Sequence, residues 1–161
     1  SIPSGYTAGQ LHDDLMELGA PLVVRTLNAL SEGTAKAIDQ EKISVSQPLK
    51  EAPKLHKSNT RIDWNLAASN IIQQIKGLSP YPGAWTTWPN RDMQPVKIWD
   101  AQESNAQLPP GAMTWKDGSL LVGTNTKAIE VLSIQIPGKR KMNPKDLMNG
   151  IKALEENDAL N

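Results

Sequence analysis

Five short segments rich in tryptophan, valine and isoleucine dominate residues 84–136, and glycine, proline, asparagine or aspartate separates them. β-Branched and aromatic residues bounded by turn formers are typical of strands. Lys116-Asp117-Gly118 predicts a hairpin turn within this region. The predicted strands are residues 85–88, 96–101, 112–115, 119–122 and 128–136. So many short strands within roughly fifty residues indicate a small closed or half-closed antiparallel barrel.

The beginning of the chain has a helical pattern. Thr7 and Gln10 have the spacing of a capping box, and Gly33 is a plausible helix end. Pro21 inside the pattern predicts a kink, or a split into two helices. Leucines recur at near-helical spacing at positions 11, 15, 18, 22, 27 and 30. A helix this apolar must pack against something, so we interpret it as the last helix of a preceding, mostly absent domain.

A linker and two further helices are expected in the rest of the chain. Residues 34–60 are polar, contain two prolines and show no sustained period, which is typical of a linker. Residues 67–77 carry apolar side chains on one face and end at Gly77, which predicts a short helix. Asn143-Pro144 is a favourable helix start and predicts a final helix to about Leu154.

No pattern in the sequence indicates a catalytic centre. The chain has no cysteine, which excludes thiol catalysis and cysteine-ligated zinc and is compatible with a reducing cytoplasm. His12 is interpreted as a surface histidine, and His56 as a solvated histidine or a phosphate contact. No carboxylate pair, metal-ligating cluster or glycine-rich phosphate loop is present. No apolar run approaches the ~20 residues that a membrane span requires.

Two groups of basic residues remain as candidates for binding. The 17 basic and 17 acidic residues balance, which argues against a generic nucleic-acid coat. However, the middle of the chain is mildly basic and its two ends are acidic, which fits a local anionic contact. The groups are Lys50, Lys54, Lys57 and Arg61 in the linker, and Lys139-Arg140-Lys141 after the last predicted strand. Such cations suit a phosphate backbone, although a solvated loop is the alternative interpretation.

A series of motifs over nearly the whole chain resembles those of methionyl-tRNA formyltransferases. In order, they are Thr7-Ala8-Gly9-Gln10-Leu11-His12-Asp13, Ala52-Pro53-Lys54-Leu55, Arg61-Ile62-Asp63-Trp64, Ser79-Pro80-Tyr81-Pro82-Gly83-Ala84, Val96-Lys97-Ile98-Trp99-Asp100-Ala101, Pro110-Gly111, Gly138-Lys139-Arg140-Lys141-Met142 and Asp146-Leu147. Ser79 and Tyr81 depart from the family's Asn-Pro-Trp-Pro-Gly-Ala turn. Each motif is weak alone, whereas the order and the intervals together are specific.

This resemblance implies an α+β chain whose small antiparallel β-barrel is related to the oligonucleotide-binding fold, with flanking helices and an N-terminal helix left over from a Rossmann-like domain. Residues 1–40 would be the end of the formyltransferase catalytic domain, residues 41–61 the linker and residues 62–161 a tRNA-binding barrel domain. The family transfers a formyl group from 10-formyltetrahydrofolate to initiator methionyl-tRNA in the cytoplasm. Its catalytic Asn, His and Asp have no counterparts here, so this chain would hold no catalytic residue, metal or cofactor. The chain does not begin with methionine, and a processed or truncated start is expected.

What the resemblance carries over is the holding of tRNA. The implied contacts are Lys54, Lys57, Arg61, Lys139, Arg140 and Lys141, mostly by charge, although Arg61 could instead pair with Asp63. Trp64 would anchor the linker to the barrel, and Tyr81 and Trp85 would be core residues of the turn. Two alternatives remain open. One is the C-terminal region of a formyltransferase that acts on nucleotide-linked amino sugars. The other is a non-enzymatic interaction module that dimerises through residues 7–31.

Overall fold

The computed structural model describes residues 1–43, 48–88 and 94–150 of the chain. Within them, the helices are α1 (Ala8–Ser31), α2 (Ala68–Gly77) and α3 (Pro144–Gly150), with a short 3₁₀ helix at Gln40–Lys42. The strands are β1 (Ala84–Trp88), β2 (Gln94–Glu103), β3 (Met113–Lys116), β4 (Ser119–Val122) and β5 (Ile129–Gln135). The fold is therefore α+β, and each predicted strand is confirmed. Residues 151–154 of the predicted last helix lie outside the described residues.

The chain forms two compact units, one of residues 10–54 and one of residues 1–9 together with the described residues from Leu55 onward. In the first unit, α1 continues through Pro21 as one helix, so of the two predicted outcomes, a kink or a split, the split does not occur. A proline deprives the carbonyl of Glu17 of its helical hydrogen bond. This residue is exposed, so water can satisfy that carbonyl. The helix ends close to Gly33, which has φ of +67°.

The second unit is built on an antiparallel sheet with the strand order β1-β2-β5-β4-β3. Its inner face carries the apolar residues of β1, β2 and β5, and α2 packs against this face through Ile71 and Ile75, which are fully buried. The hairpin turn between β3 and β4 contains Asp117 and Gly118, both with positive φ, as the sequence predicted. The Asn143 side chain accepts a hydrogen bond from the amide of Asp146 and caps α3.

The predicted closure of the sheet into a barrel is not confirmed, because β1 and β3 lie at the two edges of an open sheet in the part of the chain that the structure describes. The outer edge of β1 is paired with the end of the predicted linker. The Trp85 amide donates to the Thr60 carbonyl at 3.1 Å, and the Ile62 amide donates to the Trp85 carbonyl at 2.8 Å. These two bonds satisfy the edge of β1 without another strand.

Candidate nucleic-acid interface

One face of the sheet combines tryptophan and lysine side chains. Trp85 of β1 lies opposite Lys97 of β2, and Lys97 lies opposite Gln135 of β5. Side chains alternate along a strand, and Val96 and Ile98, which flank Lys97 in β2, point into the core. Lys97 and its cross-strand neighbours Trp85 and Gln135 therefore point outward. The sheet therefore places aromatic, cationic and amide groups side by side on its outer face.

Trp85 is held by the end of the predicted linker. Its indole N–H donates to the carbonyl oxygen of Lys57 at 2.9 Å. The ammonium nitrogen of Lys57 lies 5.1 Å from the centre of the Trp85 ring, and the guanidinium carbon of Arg61 lies 5.6 Å from it. Both distances are within the range of a cation–π interaction. Two of the predicted tRNA contacts thus share one indole ring.

Trp99 is the second aromatic centre of this face. A register shift in the β2–β5 ladder follows Ile98, as expected for a bulge, and Trp99 is 7% exposed. Its indole N–H donates to the side-chain oxygen of Gln135 at 3.1 Å. The ammonium nitrogen of Lys141 lies 3.5 Å from the ring centre, and that of Lys97 lies 5.3 Å from it. We call Lys57, Arg61, Trp85, Lys97, Trp99 and Lys141 the cationic–aromatic face.

The remaining predicted contacts are exposed. Lys139 and Arg140 follow β5 in an exposed loop, and the carbonyl of Lys139 accepts a hydrogen bond from Gln135. Lys54 is exposed and belongs to the unit of residues 10–54. Lys97 was missed by the sequence reasoning. Its position between the core residues Val96 and Ile98 of a predicted strand was a usable signal, because alternation turns such a residue outward.

The cations of this face have no carboxylate partner among the residues that the structure describes, where the ion pairs are His12–Asp13, Lys42–Asp39 and Lys127–Glu103. Arg61 does not pair with Asp63, whose carboxylate accepts hydrogen bonds from Asn65. An unneutralised cation near an indole ring keeps its charge available for an external anion. The face is thus electrostatically suited to phosphate.

The aromatic residues of this region differ in burial. Trp64 is 5% exposed and donates its indole N–H to the Thr86 hydroxyl, so it ties the segment before α2 to the sheet. Trp85 is half-buried. Tyr81, in contrast, is 83% exposed, so the expectation that it belongs to the core is wrong. Tyr81 lies in a turn between Pro80 and Pro82. The peptide bond that precedes each of these prolines, Ser79-Pro80 and Tyr81-Pro82, is cis.

A cleft of about 530 Å³ opens between the end of the predicted linker, the turn that carries Tyr81, and the ends of β2 and β5. Lys57, Trp85 and Lys97 of the cationic–aromatic face contribute to its lining, and His56 and Gln135 also line it. We call it the linker cleft. Its place on the sheet makes it continuous with the cationic–aromatic face.

The described residues hold neither a cluster of histidine, cysteine, aspartate or glutamate suited to a metal nor a helix long and apolar enough to cross a membrane. The His12 ring nitrogen contacts the neighbouring Asp13 carboxylate at 3.1 Å on the surface of α1. On the sheet, hydrogen bonds from Ser119 and Gln102 hold the pKa of Glu130 below its usual value of 4.5, although burial acts in the opposite direction. None of these groups forms a nucleophile–base pair.

Comparison with known families settles the relationship of this chain. Residues 54–152 match the family model described as formyl transferase, C-terminal domain. The chain belongs to the formyl transferase C-terminal domain family. The matched residues include the sheet, α2 and the described part of α3, so the family is shown by the part of the chain that carries the cationic–aromatic face.

Relatives of this formyl transferase domain confirm the predicted resemblance. A methionyl-tRNA formyltransferase from Bacteroides fragilis is 38% identical over 151 residues, which are 90% of this chain and 46% of that protein. Another from Flavobacterium johnsoniae is 34% identical over 159 residues, which are 97% of this chain and 50% of that protein. The chain therefore spans about half the length of the curated relatives it matches.

A solved structure shares the fold. HypX from Aquifex aeolicus, crystallised in complex with tetrahydrofolic acid, gives a TM-score of 0.52 at 16% identity and covers 84% of this chain and 25% of that one. At this identity the likeness concerns the fold of the formyl transferase domain alone.

Proposed function

We propose that this chain is the tRNA-holding C-terminal region of a methionyl-tRNA formyltransferase. The whole enzyme would transfer a formyl group from 10-formyltetrahydrofolate to the amino group of initiator methionyl-tRNA in the cytoplasm. The observation that carries the proposal is the cationic–aromatic face, which lies within the family match and has no acidic partner among the described residues. The methionyl-tRNA formyltransferases among its relatives indicate which anion this face would bind.

The physical basis of holding would be charge. Lys57 and Arg61 lie at Trp85, and Lys141 lies at Trp99, so a binding surface is partly ordered before the RNA arrives. Preorganised cations lose less side-chain entropy on binding than freely moving ones. Each phosphate that they neutralise releases condensed counterions, which makes affinity fall with salt. Lys139 and Arg140 would extend this surface, and Lys54 would add a contact from the linker.

Catalysis would require an arrangement of residues that the described part of this chain does not supply. Amine attack on a formyl group needs a base to take the proton and donors to hold the oxyanion. His12 is exposed beside Asp13, and His56 is exposed near the linker cleft, so the described residues form no such arrangement. We therefore propose that the chain is inactive alone and binds no cofactor itself. The preceding catalytic domain would bind 10-formyltetrahydrofolate.

We propose the domain arrangement implied by the resemblance. Residues 1–40 would be the end of the catalytic domain, residues 41–61 the linker, and residues 62–161 the tRNA-binding domain, whose described sheet is open. The apolar side chains of α1 support the first assignment, since Leu15, Leu18 and Leu22 are 58%, 69% and 53% exposed. An apolar stripe of this size is normally covered. A preceding domain would cover it, or a second copy in a dimer.

The proposal is tested by measuring binding of initiator tRNA as a function of salt. Lys139, Arg140 and Lys141 are changed together to glutamate. A matched control changes three exposed cations outside the face, Lys36, Lys116 and Lys145, to glutamate and alters net charge equally. If three phosphate contacts are lost, the slope of log affinity against log salt should fall by roughly 2–3. The proposal would be refuted if the affinity for tRNA responded neither to salt nor to the triple substitution of Lys139, Arg140 and Lys141.

A further inference from the structure

The linker cleft has a chemical character of its own. None of the described residues that line it is acidic, whereas two lysines from different parts of the chain, Lys57 and Lys97, contribute to the lining. Lys57 comes from the segment before α2, and Lys97 comes from β2. The remaining wall is mostly apolar, with contributions from Leu55, Ile136 and several prolines. A ligand that fits this cleft has an anionic group and an apolar or aromatic body.

The two lysines have unused hydrogen-bonding capacity. Lys97 donates one hydrogen bond, to the Pro82 carbonyl at 2.8 Å, and an ammonium group has three donors. The Lys57 ammonium lies 5.1 Å from the centre of the Trp85 ring, and no ion pair of Lys57 is found in residues 1–43, 48–88 and 94–150. Both cations are thus held near the cleft while they can still donate to an anion.

Tyr81 supplies an aromatic surface at the same place. It lines the linker cleft although its side chain is 83% exposed, and it projects from a turn bounded by Pro80 and Pro82. Packing among the residues that the structure describes does not explain so exposed an aromatic ring. Unpaired nucleic-acid bases stack on such rings, and the stacking tolerates any base because each has a flat face.

We propose that the linker cleft binds one unpaired nucleotide of the bound RNA, with its base against Tyr81 and its phosphate between Lys57 and Lys97. This inference rests on the proposed function and adds the structural class of RNA that the site accepts. A cleft of about 530 Å³ is in the size range that holds small ligands. A base stacked within a duplex presents only its edge, so it cannot meet Tyr81 face to face. Paired RNA would contact the cationic loop after β5 instead.

The test combines a surface substitution with a matched rescue. Tyr81→Ala removes the stacking ring, and Tyr81→Trp restores an aromatic surface at the same exposed position. In the chain, Tyr81→Ala should lower tRNA affinity roughly ten-fold, and Tyr81→Trp should retain it. The salt dependence should be the same in all three proteins, because neither substitution removes a cationic side chain. Circular dichroism of each variant checks that the fold is intact.

A second measurement identifies the ligand directly. The indole N–H of Trp85 donates a hydrogen bond to the Lys57 carbonyl, and its NMR signal should shift on addition of a single-stranded RNA tetranucleotide. Blunt duplex RNA should leave this signal in place, and so should the tetranucleotide with the Tyr81→Ala variant. Unchanged tRNA affinity in Tyr81→Ala would overturn the inference while leaving salt-dependent holding intact. A Trp85 response to free nucleoside monophosphate but not to the tetranucleotide would also overturn it. Salt-independent binding would instead refute the proposed function.

Discussion

The ammonium nitrogen of Lys141 lies 3.5 Å from the centre of the Trp99 indole ring. At this distance the lysine covers the outer surface of a tryptophan that is 7% exposed, so it contributes to packing as well as to charge. A change at Lys141 therefore combines two effects, one on the fold and one on anion binding. Lys139, in the same loop, has no such ring contact among the described residues and separates the two effects.

Lys141→Met should lower the free energy of unfolding by about 0.5–1 kcal/mol, because the cation–π interaction is lost while a chain of similar length still covers Trp99. Lys139→Met is the matched control and should stay within about 0.5 kcal/mol of the original protein. Urea unfolding followed by tryptophan fluorescence measures both. Equal stability of the two variants would show that the contact with Trp99 does not stabilise the domain.

Gly83→Ala should be more destabilising than Gly138→Ala. Both glycines have positive φ, +88° and +72°, so both substitutions carry the backbone cost of roughly 1–2 kcal/mol. A Cβ atom on Gly83 would lie 2.7 Å from Trp99 Cη2, whereas one on Gly138 would meet no described residue within 4 Å other than its chain neighbours. The difference in unfolding free energy should exceed about 1 kcal/mol, as for an overpacked site. Similar losses in both variants would mean that Trp99 moves aside freely.

The stabilising effect of Glu130 should disappear in acid. Its pKa in the folded protein lies below the usual 4.5 because Ser119 and Gln102 donate hydrogen bonds to the carboxylate. A group with a lowered pKa stabilises the fold above its unfolded pKa, and this contribution is lost as pH falls through the folded value. The stability difference between the original protein and Glu130→Gln should therefore shrink below pH 4.5. Ser119→Ala should raise the Glu130 pKa in an NMR titration, and a flat pH profile would contradict the mechanism.

Lys97→Gln should weaken tRNA binding and lower the salt slope by about 0.7–0.9, the amount expected for one phosphate contact. Lys97 faces the linker cleft, whereas Lys116 is exposed at the end of β3, so Lys116→Gln is the control. Fluorescence anisotropy with labelled initiator tRNA at several salt concentrations measures both slopes. Identical slopes for the two variants would remove Lys97 from the interface.

The exposed apolar stripe of α1 should make the chain associate in solution. Leu18 and Leu22 are four residues apart, on one side of the helix, and are more than half exposed. Changing both to glutamate should abolish association without affecting the sheet unit, whose core contains neither residue. Light scattering over a range of concentrations checks this. A monomer before and after the change would mean that α1 does not drive dimerisation.

Local chemistry explains what the sequence predicted well. The strands follow from β-branched and aromatic runs between turn formers, and the β3–β4 turn follows from Asp117-Gly118, which adopts positive φ at both residues. The start of α3 follows from Asn143, whose side chain caps it. Each of these structural features depends on a few neighbouring residues, which is the range over which patterns in a single sequence are informative.

Non-local pairing explains what the sequence did not reveal. Closure of a sheet depends on which segments meet at its edges, and here residues 60–62 occupy the edge of β1. The grouping of Lys57 with Trp85, and of Lys141 with Trp99, depends on the same long-range pairing. Tyr81 was misjudged because an aromatic ring between prolines gives no local indication of whether other elements cover it.

The pairing of residues 60–62 with β1 also limits how far two connected domains could separate. If residues 41–61 joined a catalytic domain to this one, residues 55–61 could not extend as part of a flexible linker, because they belong to the compact unit of the sheet. At about 3.5 Å per extended residue, this removes roughly 25 Å of reach. A shorter tether raises the local concentration of one domain around the other. The tRNA and the formyl donor would accordingly be confined within a smaller shared volume.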